Sequence, residues 1–227
     1  MKNLSREQLT KTFSRLSEPV LTLLSRMRKY NFAARLIGLH LHTIQRSSTS
    51  NSHTLLLLPK FGFTEDALAS FAGRENLTLL TLDRRLVKSV YKGFLPEYID
   101  DNNYCGHDAD IQKEKKALRL FWERVLAALR RRHPIDAVLS GNFSYAAEQE
   151  LAGACKATGI GFIALHKECL KTPGLEPFYK EIYKNRKNNF QGSKICVYND
   201  IERRIEIEFN GSLAERLVED TIGDVVL

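Results

Sequence analysis

Short apolar runs alternate along this chain with longer amphipathic stretches, and that alternation constrains the fold more than any single motif. Thr54 to Pro59 (TLLLLP) is apolar throughout and only strand length, which implies a strand buried on both faces of a sheet. Leu77 to Asp83 (LTLLTLD), Asp136 to Gly141 (DAVLSG), Ile160 to Leu165 (IGFIAL) and Lys194 to Tyr198 (KICVY) repeat the type. Between them, helices are predicted from Thr64 onward, with Ala67, Leu68 and Phe71 as the packed stripe, and over a long stretch marked by Leu118, Phe121, Trp122, Val125, Leu126 and Leu129. A further helix runs from Ala146 to Thr158 and is closed by Gly159, and another spans about 176–188. Strands joined by helices of this length pair in parallel through right-handed crossovers. The expected fold is therefore α/β: a three-layer Rossmann-like sandwich with a mainly parallel sheet and an N-terminal helical extension.

The extension is assigned to residues 1–50 and the Rossmann-like domain to 51–227, because 46–52 (RSSTSNS) is small and polar, without apolar periodicity. Before that linker, Leu9, Phe13, Leu16, Val20, Leu23, Leu24 and Met27 recur at helical spacing among Arg15, Arg26, Arg28, Lys29 and Arg35. Two helices are read here, broken near Tyr30-Asn31. The favoured reading makes the stripe a core face with solvated charges; the alternative makes it a basic amphipathic surface for a membrane or a partner helix.

The bulk properties narrow the classes. With 43% hydrophobic residues the chain is too apolar for disorder, yet no stretch nears the roughly 18 consecutive apolar residues of a spanning helix. The polar start, MKNLSRE, lacks the apolar core of a secretory leader, so a cytoplasmic location is expected. Cys105, Cys155, Cys169 and Cys196 show no CxxC spacing and read as isolated thiols, Cys155 within a helix. His40 and His42 stand too close in sequence to share one helix face and read as structural. The net charge of +7 suits an anionic partner: a phosphorylated ligand, nucleic acid, or the inner leaflet of a membrane.

In doubly wound sheets, sites lie at the carboxyl ends of the strands. That rule selects Pro59-Lys60-Phe61-Gly62, Asp83-Arg84-Arg85, the turn Ser140 to Tyr145, His166-Lys167-Glu168 and Asn199-Asp200. The Ser140-Gly141-Asn142 turn opens a helix whose first N–H groups favour an anion or a sugar hydroxyl, with Tyr145 and Glu148 on its first turns. His166, Lys167 and Glu168 set an imidazole, an ammonium and a carboxylate directly after a buried strand, a place suited to general base work or phosphate binding. Neither GxGxxG, GxxxxGK[ST] nor GxSxG occurs. Asp108-Ala109-Asp110 is a DxD string of low specificity, and no metal or cofactor is expected.

The run VLSGNFSYAAEQELAGACKATGIGFIALHKECLKTPG from Val138, followed by NNFQGSKICVYND, resembles the amino-terminal half of bacterial GT-B-fold glycosyltransferases of capsule and lipopolysaccharide biosynthesis. The features carrying it are Ser140-Gly141-Asn142, a helix bearing Glu148, the His166-Lys167-Glu168 turn and Asn199-Asp200, over about a quarter of the chain. The resemblance implies an acceptor-side domain acting without a metal, with His166 or Glu168 as catalytic base; together with the strand-end rule, which adds Lys60, the substrate-binding candidates are Lys60, Asn142, Tyr145, Glu148 and Lys167. It further implies a nucleotide sugar or saccharide acceptor as ligand and peripheral contact with the inner membrane, and for the donor domain it leaves three alternatives: a truncated or split gene product, a partner chain that supplies it, or a domain that only binds. The competing reading is a non-catalytic binding or assembly module for an anionic partner such as nucleic acid, using Arg84, Arg85, Lys88, Arg130, Arg131 and Arg132.

Overall fold

The computed structural model describes residues 6–60, 62–105, 107–165, 173–184, 190–197, 199–209 and 217–219. The elements are α1 (Arg6–Arg26), α2 (Tyr30–Leu39), β1 (His42–Gln45), β2 (His53–Leu57), α3 (Phe63–Phe71), β3 (Leu77–Thr81), α4 (Arg84–Lys92), α5 (Ala109–Arg130), β4 (Ala137–Ser140), α6 (Ala146–Ala157), β5 (Gly161–Leu165), α7 (Glu176–Lys184), β6 (Lys194–Val197), α8 (Asp200–Phe209) and β7 (Leu217–Glu219). They form an α/β fold around one seven-stranded sheet in the order β1-β3-β2-β4-β5-β6-β7. Every pairing is parallel except β1 with β3.

The inner strands β2, β3, β4 and β5 are largely buried on both faces, as their unbroken apolar runs require. Leu55, Leu57, Leu79 and Leu139 point to one side, where they meet Phe63, Ala67 and Phe71 of α3. Leu56, Leu80, Val138 and Phe162 point to the other, into the larger cluster built with α4, α5 and α6 around the fully buried Trp122. Alternate residues of one strand thus feed two separate apolar clusters. Gly159 closes α6 at φ 69, a left-handed value that a side chain would strain.

The N-terminal segment departs from expectation twice. The helical pattern stops at Leu39, and His42–Gln45 becomes an edge strand antiparallel to β3, so the segment contributes directly to the sheet. The face of α1 that turns inward is also not the large apolar stripe. Ser14, Ser17, Leu21 and Ser25 are buried, and α1 packs on α4, while Phe13, Leu16, Val20, Leu23 and Met27 are exposed. Small side chains let two helix backbones approach closely, and here that contact decides the inward face. The core-face reading of the stripe is therefore corrected.

His40 ends α2 and ties it to α1. Its ring is buried, hydrogen-bonds Ser17 Oγ at 2.9 Å and stacks on Phe13 with centroids 4.5 Å apart. Burial and the nearby His42 lower its basicity against a smaller pull from Asp83, which favours the neutral ring. The structural reading of His40 fits this position.

Candidate functional site

The six strands in parallel register run β3-β2-β4-β5-β6-β7, so the chain winds outward from β2 to β3 and then crosses back to β4. The winding reverses at the seam between β2 and β4, and in open α/β sheets the crevice outside the carboxyl ends at such a seam is where ligands sit. Three connections meet there. The loop after β2 brings Lys60, the loop after β4 brings residues 141–145, and β3 leads through Asp83 into α4, which begins with Arg84.

Asp83 anchors the third connection. Its carboxylate accepts the Arg85 N–H at 2.9 Å as N-cap of α4 and also binds the Arg85 guanidinium. Burial alone would push this carboxyl up, but the bonds from Arg85 outweigh it and hold the group below its usual range. With the helix start so fixed, Arg84 faces the seam.

Tyr145, the N-cap residue of α6, is the centre of the site. The Arg84 guanidinium lies 3.9 Å from its ring centroid, and the Lys60 ammonium sits 4.9 Å from the same centroid while donating to the phenolic oxygen. Asn142 also bonds that oxygen. Burial is the main cause that pushes the Tyr145 hydroxyl up to about 12. Lys60 moves down, first through burial and then through repulsion from Arg84, with Lys88 adding to it.

Behind the ring stands Glu148, 2% exposed. One of its oxygens accepts from Arg84 Nε and the other from Ser140 Oγ. Burial pushes this carboxyl up, opposed by Arg84 and by both hydrogen bonds. Ser140 and Glu148 together hold Arg84 flat against Tyr145. Asn142 shapes the intervening loop: its buried side-chain oxygen accepts the Ser144 N–H at 2.7 Å and the Ser144 hydroxyl at 2.8 Å. Gly141 passes close to α3: a Cβ there would lie 3.0 Å from the Phe63 ring, which would have to shift by a few tenths of an ångström to admit it.

Asp101 occupies the first turn of α6, accepting the Ala146 N–H at 2.7 Å. Beside it opens a cleft of about 420 Å³ lined by Lys88, Tyr91, Lys92, Asp100, Asp101 and Ala146 among others. The cleft sets Lys88 and Lys92 against the carboxylates of Glu97, Asp100 and Asp101, and Asp101 already takes the Ala146 N–H at the start of α6, so the cations that face outward at the seam are those on the Tyr145 ring. Two cations on one aromatic face are chemically suited to contact with an anion.

No family model, no curated protein and no solved structure matches the chain. Geometry alone carries the site.

Of the residues singled out in the sequence, Lys60, Asn142, Tyr145 and Glu148 come together at the seam, from the ends of two strands that lie far apart in the chain. His166, Lys167 and Glu168 lie outside the described residues. Asn199 and Asp200 open α8, where Asn199 accepts the Glu202 N–H at 2.9 Å. Asp108 of the DxD string caps α5 by accepting the Ile111 N–H at 3.0 Å. Sequence reasoning selected Arg84 with the strand-end loop Asp83-Arg84-Arg85 and placed it on a basic surface in the competing reading, and did not identify Asp101 or the holding role of Ser140. The available signal for Arg84 was its place directly after a capping aspartate at a strand end. The basic surface itself is partly consumed inside the fold: Arg84 is turned to Glu148, Arg85 to Asp83 and Glu18, and Arg130 to the Thr158 carbonyl.

Proposed function

We propose that this chain is a binding domain for a small anionic, hydroxyl-bearing ligand held at the β2/β4 seam, of the kind an acceptor-side glycosyltransferase domain would take. The observation carrying this reading is the gathering of Lys60 and Arg84 on one Tyr145 ring, with Lys88 nearby, at the winding reversal of a parallel sheet. Two cations stacked on an aromatic face, one of them locked from behind by a buried carboxylate, form a preorganised anion subsite. Apolar clusters on both faces of the sheet support the inference that the whole chain completes a three-layer Rossmann-like sandwich.

Calorimetric titration with nucleoside diphosphates, sugar phosphates and inorganic phosphate tests the binding. A charge-assisted hydrogen bond contributes about 1.5–3 kcal/mol, so Lys60→Ala should weaken a phosphate-bearing ligand by about tenfold to a hundredfold. Unchanged affinity in that variant removes the subsite.

The glycosyl-transfer form of the proposal rests on the resemblance, which gives His166 or Glu168 the role of base. Donor-dependent transfer to a saccharide acceptor should vanish in His166→Ala and Glu168→Ala while both variants keep the wild-type melting temperature. Full transfer in both variants refutes that role and leaves the anion subsite standing.

A further inference from the structure

We infer that the outer face of α1 is a docking surface for an anionic phospholipid bilayer. Phe13, Leu16, Val20, Leu23 and Met27 are each between 46% and 67% exposed. At 100° per residue they fall within an arc of about 80°, and the stripe runs about 21 Å along the helix. A contiguous row of five large apolar side chains in water demands a cover. The inward face of the same helix is already covered: Ser14 and Ser17 lie against His40 at the end of α2, Thr22 and Ser25 lie against α4, and Leu21 is fully buried.

Charge identifies the cover. Arg15, Arg26, Lys29 and Arg35 are exposed on and just after α1, and from Phe13 to Gln45 the sole acidic residue is Glu18, which turns to Arg85 at 3.6 Å. The cationic character continues into a cleft of about 370 Å³ between α2 and the end of α5, lined by Arg35, Arg131, Arg132 and His133 without any acidic group. A helix whose apolar arc is flanked by cations lies in the plane of a bilayer, with the arc among the acyl chains and the cations at the phosphates. A second copy of the chain would set these cations against one another with no carboxylate between them. Nucleic acid would leave the apolar arc uncovered.

Co-sedimentation with vesicles tests this. The wild-type chain should sediment with phosphatidylcholine vesicles containing about 30% phosphatidylglycerol and stay in solution with pure phosphatidylcholine. Leu16→Gln/Leu23→Gln should lower the partition coefficient by at least about tenfold, and Arg15→Gln/Arg26→Gln by about tenfold. Both variants should melt with the wild type, because the altered side chains already face water. Lys60→Ala should sediment as the wild type does, which separates this face from the crevice at the strand ends. The inference is overturned if the wild type fails to bind the anionic vesicles, if binding survives Leu16→Gln/Leu23→Gln, or if that variant melts markedly lower. It is equally overturned if the wild type sediments as a dimer in solution that Leu16→Gln/Leu23→Gln disperses, since the cover would then be a second copy.

Discussion

Replacing Arg84 with methionine is expected to destabilise the chain by about 3 kcal/mol at neutral pH and by clearly less near pH 5. Methionine keeps the length of the side chain and its contact with the Tyr145 ring but removes the charge that faces Glu148. The Glu148 carboxyl, 2% exposed, would keep only the Ser140 hydroxyl as partner among the contacts described above. Burial already pushes this group up, and Arg84 is the largest influence pulling it down, so its loss moves the folded-state value further up. The sign follows. A carboxyl whose folded value exceeds its unfolded value of about 4.3 binds more protons when folded, so stability falls as pH rises through that interval. Urea unfolding of Arg84→Met at several pH values should show this slope, and Arg84→Met/Glu148→Gln should abolish it. A loss independent of pH would mean that Arg84 stabilises by packing alone and that Glu148 is not the group it compensates.

The same pair shows how a buried carboxylate can fix a cation and an aromatic ring from behind. Glu148 and Ser140 fix Arg84, Arg84 fixes the Tyr145 ring, and Asn142 and Lys60 fix its hydroxyl. Arg84 arrives by the β3 crossover and the remaining groups from the β2 and β4 ends, so only the assembled sheet brings them together. Holding the cations before a ligand arrives lowers the ordering entropy that binding must meet.

Lys60, Asn142, Tyr145 and Glu148 were legible because strand ends are readable from apolar runs and because sites in parallel sheets cluster there. The same rule selected Asp83-Arg84-Arg85, but only as a strand-end loop: that Asp83 is an N-cap, with Leu86, Val87, Val90 and Tyr91 following at helical spacing into α4, is what turns Arg84 to the seam. β1 was missed for a different reason. It is a short edge strand, exposed over most of its length, whose only reason to be extended is pairing with β3, a contact that local sequence does not encode. The inward face of α1 was misread because periodicity locates an apolar stripe without saying which side a partner helix will approach. Ser25 lies where the helix backbones come close, opposite Gly93 at the end of α4, while Ser14 and Ser17 lie against His40, and local periodicity encodes neither neighbour.

Gly93→Ala tests that contact, and it is expected to destabilise by about 1–3 kcal/mol. Gly93 sits at the end of α4 with φ −74, a conformation that alanine adopts without strain. Elsewhere such a change would stabilise by about 0.4–1 kcal/mol, through the reduced freedom of the unfolded chain. Here a Cβ would lie 2.5 Å from Ser25 Cβ and 3.0 Å from the Thr22 carbonyl oxygen, both on α1. Those are backbone-proximal atoms that no rotamer change can move, so the helices must separate. Separation would also loosen the bond from the Thr22 hydroxyl to the Ser89 carbonyl, 3.0 Å long and spanning the same two helices. The sign of the measured change therefore decides between packings: a loss places the serine face of α1 against α4, and a gain in thermal stability means that α1 does not press on Gly93 at all.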